Sequence, residues 1–474
     1  VNASLTDPIG FSSTGRRVHN CAVEPQKEYV LRTVEERGVR LIRLWFTDVL
    51  GQLKSFAISP AELETAFEEG MHFDGSSIDG FSRVQESDVL ARPDPNTFEL
   101  LPWTDNDEAS ARMICDIVNL DGSPFEGDPR QVLRRNLRAA RDRGFTFYVA
   151  PEMEFFYFRD GEPGSPLQPL DTGSYFDLTM ADASSNLRKQ TLHALEAMGI
   201  PVEYSFHEDS PSQHEIDLRY TDALSMADNV MTFRLMVREI ALQHGVYATF
   251  MPKPLTGVQG SGMHTHLSLF EGDTNAFHDA ADPEGLSKVA RAFIAGLLAH
   301  GREITAVTNQ LVNSYKRLVI GSGVGSLTQF EAPTFVTWGR NNRSALVRVP
   351  PAKPGKSAST RIEYRSPDPA CNPYLAFSVI LAAGLKGLEE GYDLPEESST
   401  NVFDLSPEER AAEGIHALPQ SLADALDAME ASELVASTLG EHIFTWFLRN
   451  KRAEWSDYKA EVTPFELHRY LPAW

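Results

Sequence analysis

Cysteine is scarce. Cys21, Cys115 and Cys371 are the only three in 474 residues, and no two stand at C-x-x-C spacing. That argues against a disulfide framework or a cysteine zinc site, and it suits a reducing cytoplasm. Long apolar runs are missing too. The most apolar segment, Tyr374 to Leu385, is broken by Lys386 and Glu389; it is too short to span a bilayer and reads as a buried helix. Residues 1–20 hold no apolar stretch of signal-peptide length and read as a flexible extension. Basic residues are the minority charge, giving a formal net charge of −24. That argues against nucleic acid as the main partner and gives no reason to expect an anionic membrane surface. No internal repeat and no low-complexity segment stands out.

What is present suits a soluble globular chain: 42% apolar and 23% charged residues, long enough for a large catalytic domain and a smaller one. Residues 24–38 have helical spacing and end at Gly38. Val39 to Phe46 and Gln52 to Ile58 read as two strands of a hairpin, and Ser59-Pro60 opens a helix. Together with the strands up to about Val118 they make a small α+β unit. The turn cluster Asp121-Gly122-Ser123-Pro124 marks a boundary, and Asp128-Pro129 starts the next helix. The resulting division is an extension over 1–23, a small domain over 24–120 and a large one over 121–474.

The chemistry is organised around Pro151-Glu152-Met153-Glu154-Phe155-Phe156, which continues the β-forming run Phe145 to Ala150. Residues two apart on a strand share a face, so Glu152 and Glu154 lie side by side with Met153 and Phe155 behind them. Paired carboxylates on an apolar strand resist burial unless a cation joins them. The pattern recurs. His207-Glu208 and Gln213-His214-Glu215 read as two strands that bring Glu208 and Glu215 close. His264, His266 and Ser268 share one strand face behind a glycine lead-in. Arg361, Glu363 and Arg365 share another, with Ile362 and Tyr364 opposite. Hard divalent cations take oxygen ligands, and Mn²⁺ also accepts imidazole. Glu152, Glu154, Glu208, Glu215, His264 and Glu363 are therefore candidates for two cation sites lining a funnel or barrel mouth. Arg317, Arg340, Arg343, Arg348, Arg361 and Arg365 cluster in one C-terminal stretch. Their forks suit phosphate and carboxylate, although Arg340 alone reads as a solvated face. Cations and arginines together imply Mg-nucleotide, a carboxylic acid and phosphoryl transfer.

With these stretches in view the sequence resembles the glutamine synthetase family. The resemblance also rests on Phe46-Thr47-Asp48, Phe73-Asp74-Gly75-Ser76-Ser77, Met251-Pro252-Lys253-Pro254, Gly260 to His266, Asn313 to Leu318 and Asn342-Arg343-Ser344. It implies an α+β protein with a small N-terminal β-grasp-like domain. A large catalytic domain follows, its curved antiparallel barrel-like sheet flanked by helices, and subunits assemble into rings of six, usually stacked as twelve. It implies ATP as substrate and two or three Mg²⁺ or Mn²⁺ ions. One ion would take Glu154, Glu208 and Glu215, the other Glu152, His264 and Glu363. Gly260, Arg317 and Arg365 would seat glutamate. Arg343 and Arg348 would clamp phosphate, and Glu203, His266 and Ser268 would lie on the nucleotide side. Tyr175 and Glu208, with Asp48 from a neighbouring subunit, would hold ammonium, and Asp48 would take its proton. Glu331 would cover the intermediate.

Several positions depart from the family pattern. The approach to Glu331, Leu318 to Phe330, is longer than usual and glycine-rich, room for a larger amine. Gln259 stands where Asn is usual. Phe403 replaces the tyrosine that some bacterial members adenylylate, so that control is expected to be absent. The expected reaction is ATP-dependent ligation of ammonia to the γ-carboxylate of glutamate. The alternative is a γ-glutamyl-amine synthetase using a polyamine, ethanolamine or another primary amine. A structural or regulatory relative that has lost chemistry is disfavoured, because all six ligand positions and both clamps are present.

Overall fold

A computed structural model describes residues 15–80, 88–103, 109–162, 164–178, 184–319, 332–352, 355–356, 359–398 and 402–474, with side chains from residue 24 on. Residues 1–14 of the predicted extension, and Glu331 with most of the lengthened approach to it, lie outside them. The chain forms two compact units: Val1–Phe46, Lys54–Phe73 and Asp88–Ser123 in one, and Thr47–Leu53, Asp74–Ser87 and Pro124–Trp474 in the other.

The smaller unit holds α1 (Gly15–Glu36), β1 (Leu41–Thr47), β2 (Leu53–Ile58), α2 (Leu63–Glu68), β3 (Met71–Asp74), β4 (Asp88–Pro93), β5 (Glu99–Leu100) and β6 (Ser110–Val118). α1 starts inside the stretch read as an extension and runs on through Pro25. The sheet order is β2-β1-β6-β4-β3, with β5 on β6. The predicted β1–β2 pair is present. β6 is buried along almost its whole length, which fits its place between β1 on one side and β4 on the other.

The larger unit begins with α3 (Pro129–Asp142), β7 (Thr146–Phe158), α4 (Ser185–Ala197), β8 (Val202–His207), β9 (Gln213–Leu218) and β10 (Thr221–Asp222). Next come α5 (Ala223–Gln243), β11 (Tyr247–Thr249), β12 (Thr265–Glu271), β13 (Thr274–Asn275), α6 (Lys288–Thr308) and α7 (Ser314–Arg317). β14 (Phe335–Gly339), β15 (Ala345–Arg348), β16 (Ile362–Tyr364) and α8 (Pro373–Glu390) follow. Five helices close it: α9 (Pro407–Ala412), α10 (Leu422–Glu430), α11 (Glu433–Leu439), α12 (Glu441–Ala460) and α13 (Pro464–Tyr470).

The large sheet runs β14-β15-β16-β12-β7-β9-β8, with β10 and β11 also on β7. β7 is its axis. β9 lies antiparallel on one side and β12 antiparallel on the other, whereas β14 and β15 run parallel. Met153 and Phe155 are fully buried behind the sheet, so Glu152 and Glu154 face the other way, as their spacing requires.

Helices back this sheet. α8 is the predicted buried helix: Asn372 caps it by accepting from the Tyr374 and Leu375 amides, and Pro373 takes its first position. α6 and α8 meet backbone to backbone. A Cβ at Gly296 would stand 2.2 Å from the Ala383 carbonyl oxygen, and one at Gly387 would stand 2.1 Å from that of Ala292. Arg130 on α3 forks onto Asp228 on α5 (3.0 and 2.8 Å), and the Tyr374 hydroxyl of α8 donates to the same carboxylate at 2.7 Å. No described helix is long and apolar enough to cross a membrane.

Candidate active site

The face of the sheet carrying Glu152 opens on a cavity of about 750 Å³. Glu152, Glu154, Glu208, Glu215, His264 and Glu363, predicted as cation ligands, all line it. So do Tyr175, Gly260, Arg317, Arg343, Arg348 and Arg365. Glu203, His266 and Ser268 line a second cavity of about 470 Å³ instead, together with Arg361. Glu152, Tyr204 and Asp217 belong to both. Arg340 lines neither and pairs with Glu284 and Glu397 on the surface, as its solvated reading expects. Asp48 also lines neither. Its Oδ1 accepts from the Leu50 and Gln52 amides at 3.0 and 2.8 Å, and Asn372 donates to its carbonyl.

The β7–β9 ladder sets the acidic face. Glu154 lies opposite Glu215, and Glu152 opposite Asp217. Like charges directly opposite one another destabilise a sheet. Burial and then Glu208 push the Glu154 carboxyl well above its usual range, against the pull of Arg317. Burial and then Asp217 do the same to Glu215, and burial and then Glu152 raise Asp217 to about 7. One Asp217 carboxylate oxygen is buried with no hydrogen-bond partner among the described residues.

On the other side of Glu152 the balance reverses. Its carboxylate meets His266 Nε2 at 2.8 Å and His264 Nδ1 at 3.2 Å. Burial opposes its charge, but the two imidazoles hold the carboxyl well below its usual range. Glu363 binds Arg348 at 2.8 Å and also pairs with Arg365. Burial opposes its charge as well, and Arg365 leads the groups that keep it ionised.

Ligand atoms of Glu152, His264 and Glu363 fall within 4.8 Å of one another, and so do those of Glu152, Glu215 and Asp217. Oxygen donors with one imidazole, repelling one another and holding an orphaned carboxylate oxygen, suit divalent cations. A third group at that spacing, Asp171, His207 and His214, has most of its donors committed to hydrogen bonds, although His214 Nε2 finds no partner among the described residues. His207 meets Asp171 at 2.8 Å and the Glu208 carbonyl at 2.6 Å, and Arg188 Nη1 stands 2.7 Å from His214 Nδ1. It is a buried hydrogen-bonded brace.

On the arginine side, Arg317 donates to the Ser366 carbonyl at 2.8 Å and the Arg365 carbonyl at 3.3 Å, which aims its fork beside Glu154 and Gly262. Gly260 admits no side chain, because a Cβ there would lie 2.2 Å from the Pro252 carbonyl oxygen. The Tyr175 hydroxyl hydrogen-bonds Arg343, and burial followed by Glu208 raises its pKa. Three residues escaped the sequence reading: Asp217, Gln213 and the partner of Gln259. Asp217 was accessible, since Glu215-Ile216-Asp217 repeats the period of two used for Glu152 and Glu154.

Groups able to hold cations, set between two cavities with arginines around the larger one, suit phosphoryl transfer. Comparison with known proteins narrows this. The glutamine synthetase β-grasp domain matches residues 38–120 and the glutamine synthetase catalytic domain matches residues 126–470. The chain is 61% identical to a glutamine synthetase of Mycolicibacterium smegmatis, over 95% of its own length and all of the relative's. It is 50% identical to one of Methanosarcina mazei, over 94% and 97%. A solved structure described as a GmaS/ADP complex matches with a TM-score of 0.83 at 32% identity, covering 94% of this chain and 99% of that one. The chain belongs to the glutamine synthetase family, whose members are ATP-dependent ligases. The α+β class, the β-grasp domain and the curled half-barrel sheet expected from the resemblance are those of this family.

Proposed function

We propose that this chain ligates ammonia to the γ-carboxylate of glutamate, cleaving ATP to ADP and phosphate through a γ-glutamyl phosphate. The observation that carries the reading is the convergence of all six acidic and imidazole ligand positions with Arg317, Arg343, Arg348 and Arg365 on one cavity. It sits in a chain 61% identical, over 95% of its length, to a relative named glutamine synthetase.

Arg317, Arg365 and the bare backbone at Gly260 seat glutamate with its side-chain carboxylate toward the acidic face. Glu203, His266 and Ser268 line the nucleotide's cavity; the ADP of the GmaS complex supports that occupant. Divalent cations, Mg²⁺ or Mn²⁺, when held by Glu154, Glu208 and Glu215 and by Glu152, His264 and Glu363, neutralise the phosphate charge. Arg343 and Arg348 reach the phosphoryl group as it passes to the γ-carboxylate oxygen. Tyr175 and Glu208 orient the amine. Its nitrogen displaces phosphate, and Asp48 of a neighbouring subunit takes the proton released.

That last step needs an assembly, and we propose stacked rings of six. The C-terminal tail supports association: Phe465, Tyr470, Leu471 and Trp474 are exposed around the short helix α13. A cytoplasmic setting suits the absence of cysteine pairing motifs.

A second reading has one observation in its favour. Tyr175, Phe176 and Phe206 cluster beside Glu208, with ring centroids 4.1 Å apart for the first pair and 4.7 Å for the second. Phe176 is held at φ 60°, a strained angle for an aromatic residue. Rings beside a carboxylate suit an alkylammonium. Phosphate release with ATP, glutamate and either ammonium or a panel of primary amines separates the readings. Turnover with an amine and none with ammonium would overturn the first.

A further inference from the structure

The hairpin turn after β8 and the lead-in to β12 form two walls of the larger cavity, and side-chain amides tie them together. Gln259 Nε2 donates to Asp209 Oδ2 at 3.0 Å, and Ser210 Oγ donates back to the Gln259 carbonyl at 3.2 Å. Asp209 in turn donates its backbone N–H to Glu208 Oε2 at 2.9 Å. A second tie runs beneath. Gln213 is fully buried; its Nε2 donates to Glu154 Oε2 at 2.6 Å and to the Gly260 carbonyl at 3.2 Å, and its Oε1 accepts from the Ser210 amide. Ser212, a non-glycine residue at φ 60°, shapes the turn that brings these groups round.

We propose that Gln259 and Asp209 are positioning residues, a latch that fixes the Gly260 wall relative to Glu208. The inference rests on the function proposed above, in which Gly260 seats glutamate and Glu208 faces the amine. The Gln259 side-chain amide is turned to Asp209. The latch therefore sets the distance between two seats. Displacements of that kind are costly when two reactants must meet in line. Length is essential: asparagine, one methylene shorter, leaves the amide out of reach of Asp209. The nucleotide's cavity takes no part in the latch.

The test is steady-state kinetics on the full-length protein with Gln259→Ala, Gln259→Asn, Asp209→Ala, Asp209→Asn and the double alanine variant, each checked by thermal melting. Losing a charge-assisted hydrogen bond predicts KM values for glutamate and ammonium raised about fivefold or more in Gln259→Ala, Gln259→Asn and Asp209→Ala, with KM for ATP within about twofold. Asp209→Asn, which keeps an acceptor oxygen but not the charge, gives values between wild type and Asp209→Ala. The double variant is no worse than either single one. Unchanged KM for glutamate, a KM for ATP that rises in step, failure of Asp209→Asn to rescue, or losses that multiply in the double variant would overturn the latch. A wild type inert toward glutamate and ammonium fails the proposed function instead. Calorimetry with glutamate alone then decides the latch: weaker binding in Gln259→Ala supports it, and unchanged or absent binding overturns it.

Discussion

Asp217 stands directly across the β7–β9 ladder from Glu152, so two carboxylates occupy opposed positions where a sheet ordinarily pairs complementary side chains. Glu154 and Glu215 repeat the arrangement two residues along. The cation-free protein carries this repulsion as a standing destabilisation. Mn²⁺ at about 100 times its Kd is expected to stabilise the fold by about 2.7 kcal/mol. Melting curves with chelator and with Mn²⁺ measure it. Asp217→Asn is expected to raise the melting temperature in chelator and to shrink the response to Mn²⁺; an unchanged response would contradict the role given to that face.

Glu363 belongs to the Glu152–His264 group that could hold a cation and also pairs with Arg348 and Arg365. Replacing it with alanine removes a ligand and frees two guanidinium groups from their shared anion. ATP turnover in Glu363→Ala is expected to fall by about 10² or more, read as phosphate release at saturating substrates. Near-normal turnover would show that the cluster is structural.

Asp171 gives a pH signature. Burial disfavours its charge, but hydrogen bonds from His207, Ser212 and Ser184, with the nearby His214, hold its carboxyl far below the ordinary value. A depressed carboxyl stabilises the fold above the unfolded-state pKa of about 3.9, and that stability is lost as pH falls toward the folded value. Asp171→Asn is therefore expected to be less stable than wild type at pH 7, and the gap is expected to close below about pH 4. Denaturation midpoints across pH 3 to 7, at roughly unit steps, check this. A gap that widens in acid reverses the sign.

Asp228 receives the Arg130 fork and the Tyr374 hydroxyl where three helices meet. Asp228→Ala takes the carboxylate from a buried guanidinium and is expected to cost about 3–5 kcal/mol in urea denaturation. Asp228→Asn, which keeps one acceptor oxygen, loses less.

Much of the site was legible because most of its candidate ligands lie on strands, where a period of two decides which way a side chain points. Glu152 and Glu154, and the buried Ile362 and Tyr364 opposite Glu363, followed from that rule alone. The rule also applied to Asp217, which escaped because its neighbour Glu215 already supplied the motif. The partners of Gln259 and Arg340 were not legible. Asp209 and Glu397 are 50 and 57 positions away in sequence, and only the folded loops bring them within reach. The start of α1 was obscured by Pro25, which reads as a helix boundary yet sits within the helix. Nothing in a local pattern announces that Gly296 and Gly387 must face each other across two helices.

The two cavities meeting at Glu152 have a kinetic consequence. Under the function proposed above, nucleotide and amino acid meet across the wall that Glu152, Tyr204 and Asp217 share, so both must be seated before phosphate moves. Initial-rate plots against both are expected to intersect, and parallel lines would contradict that joint occupancy.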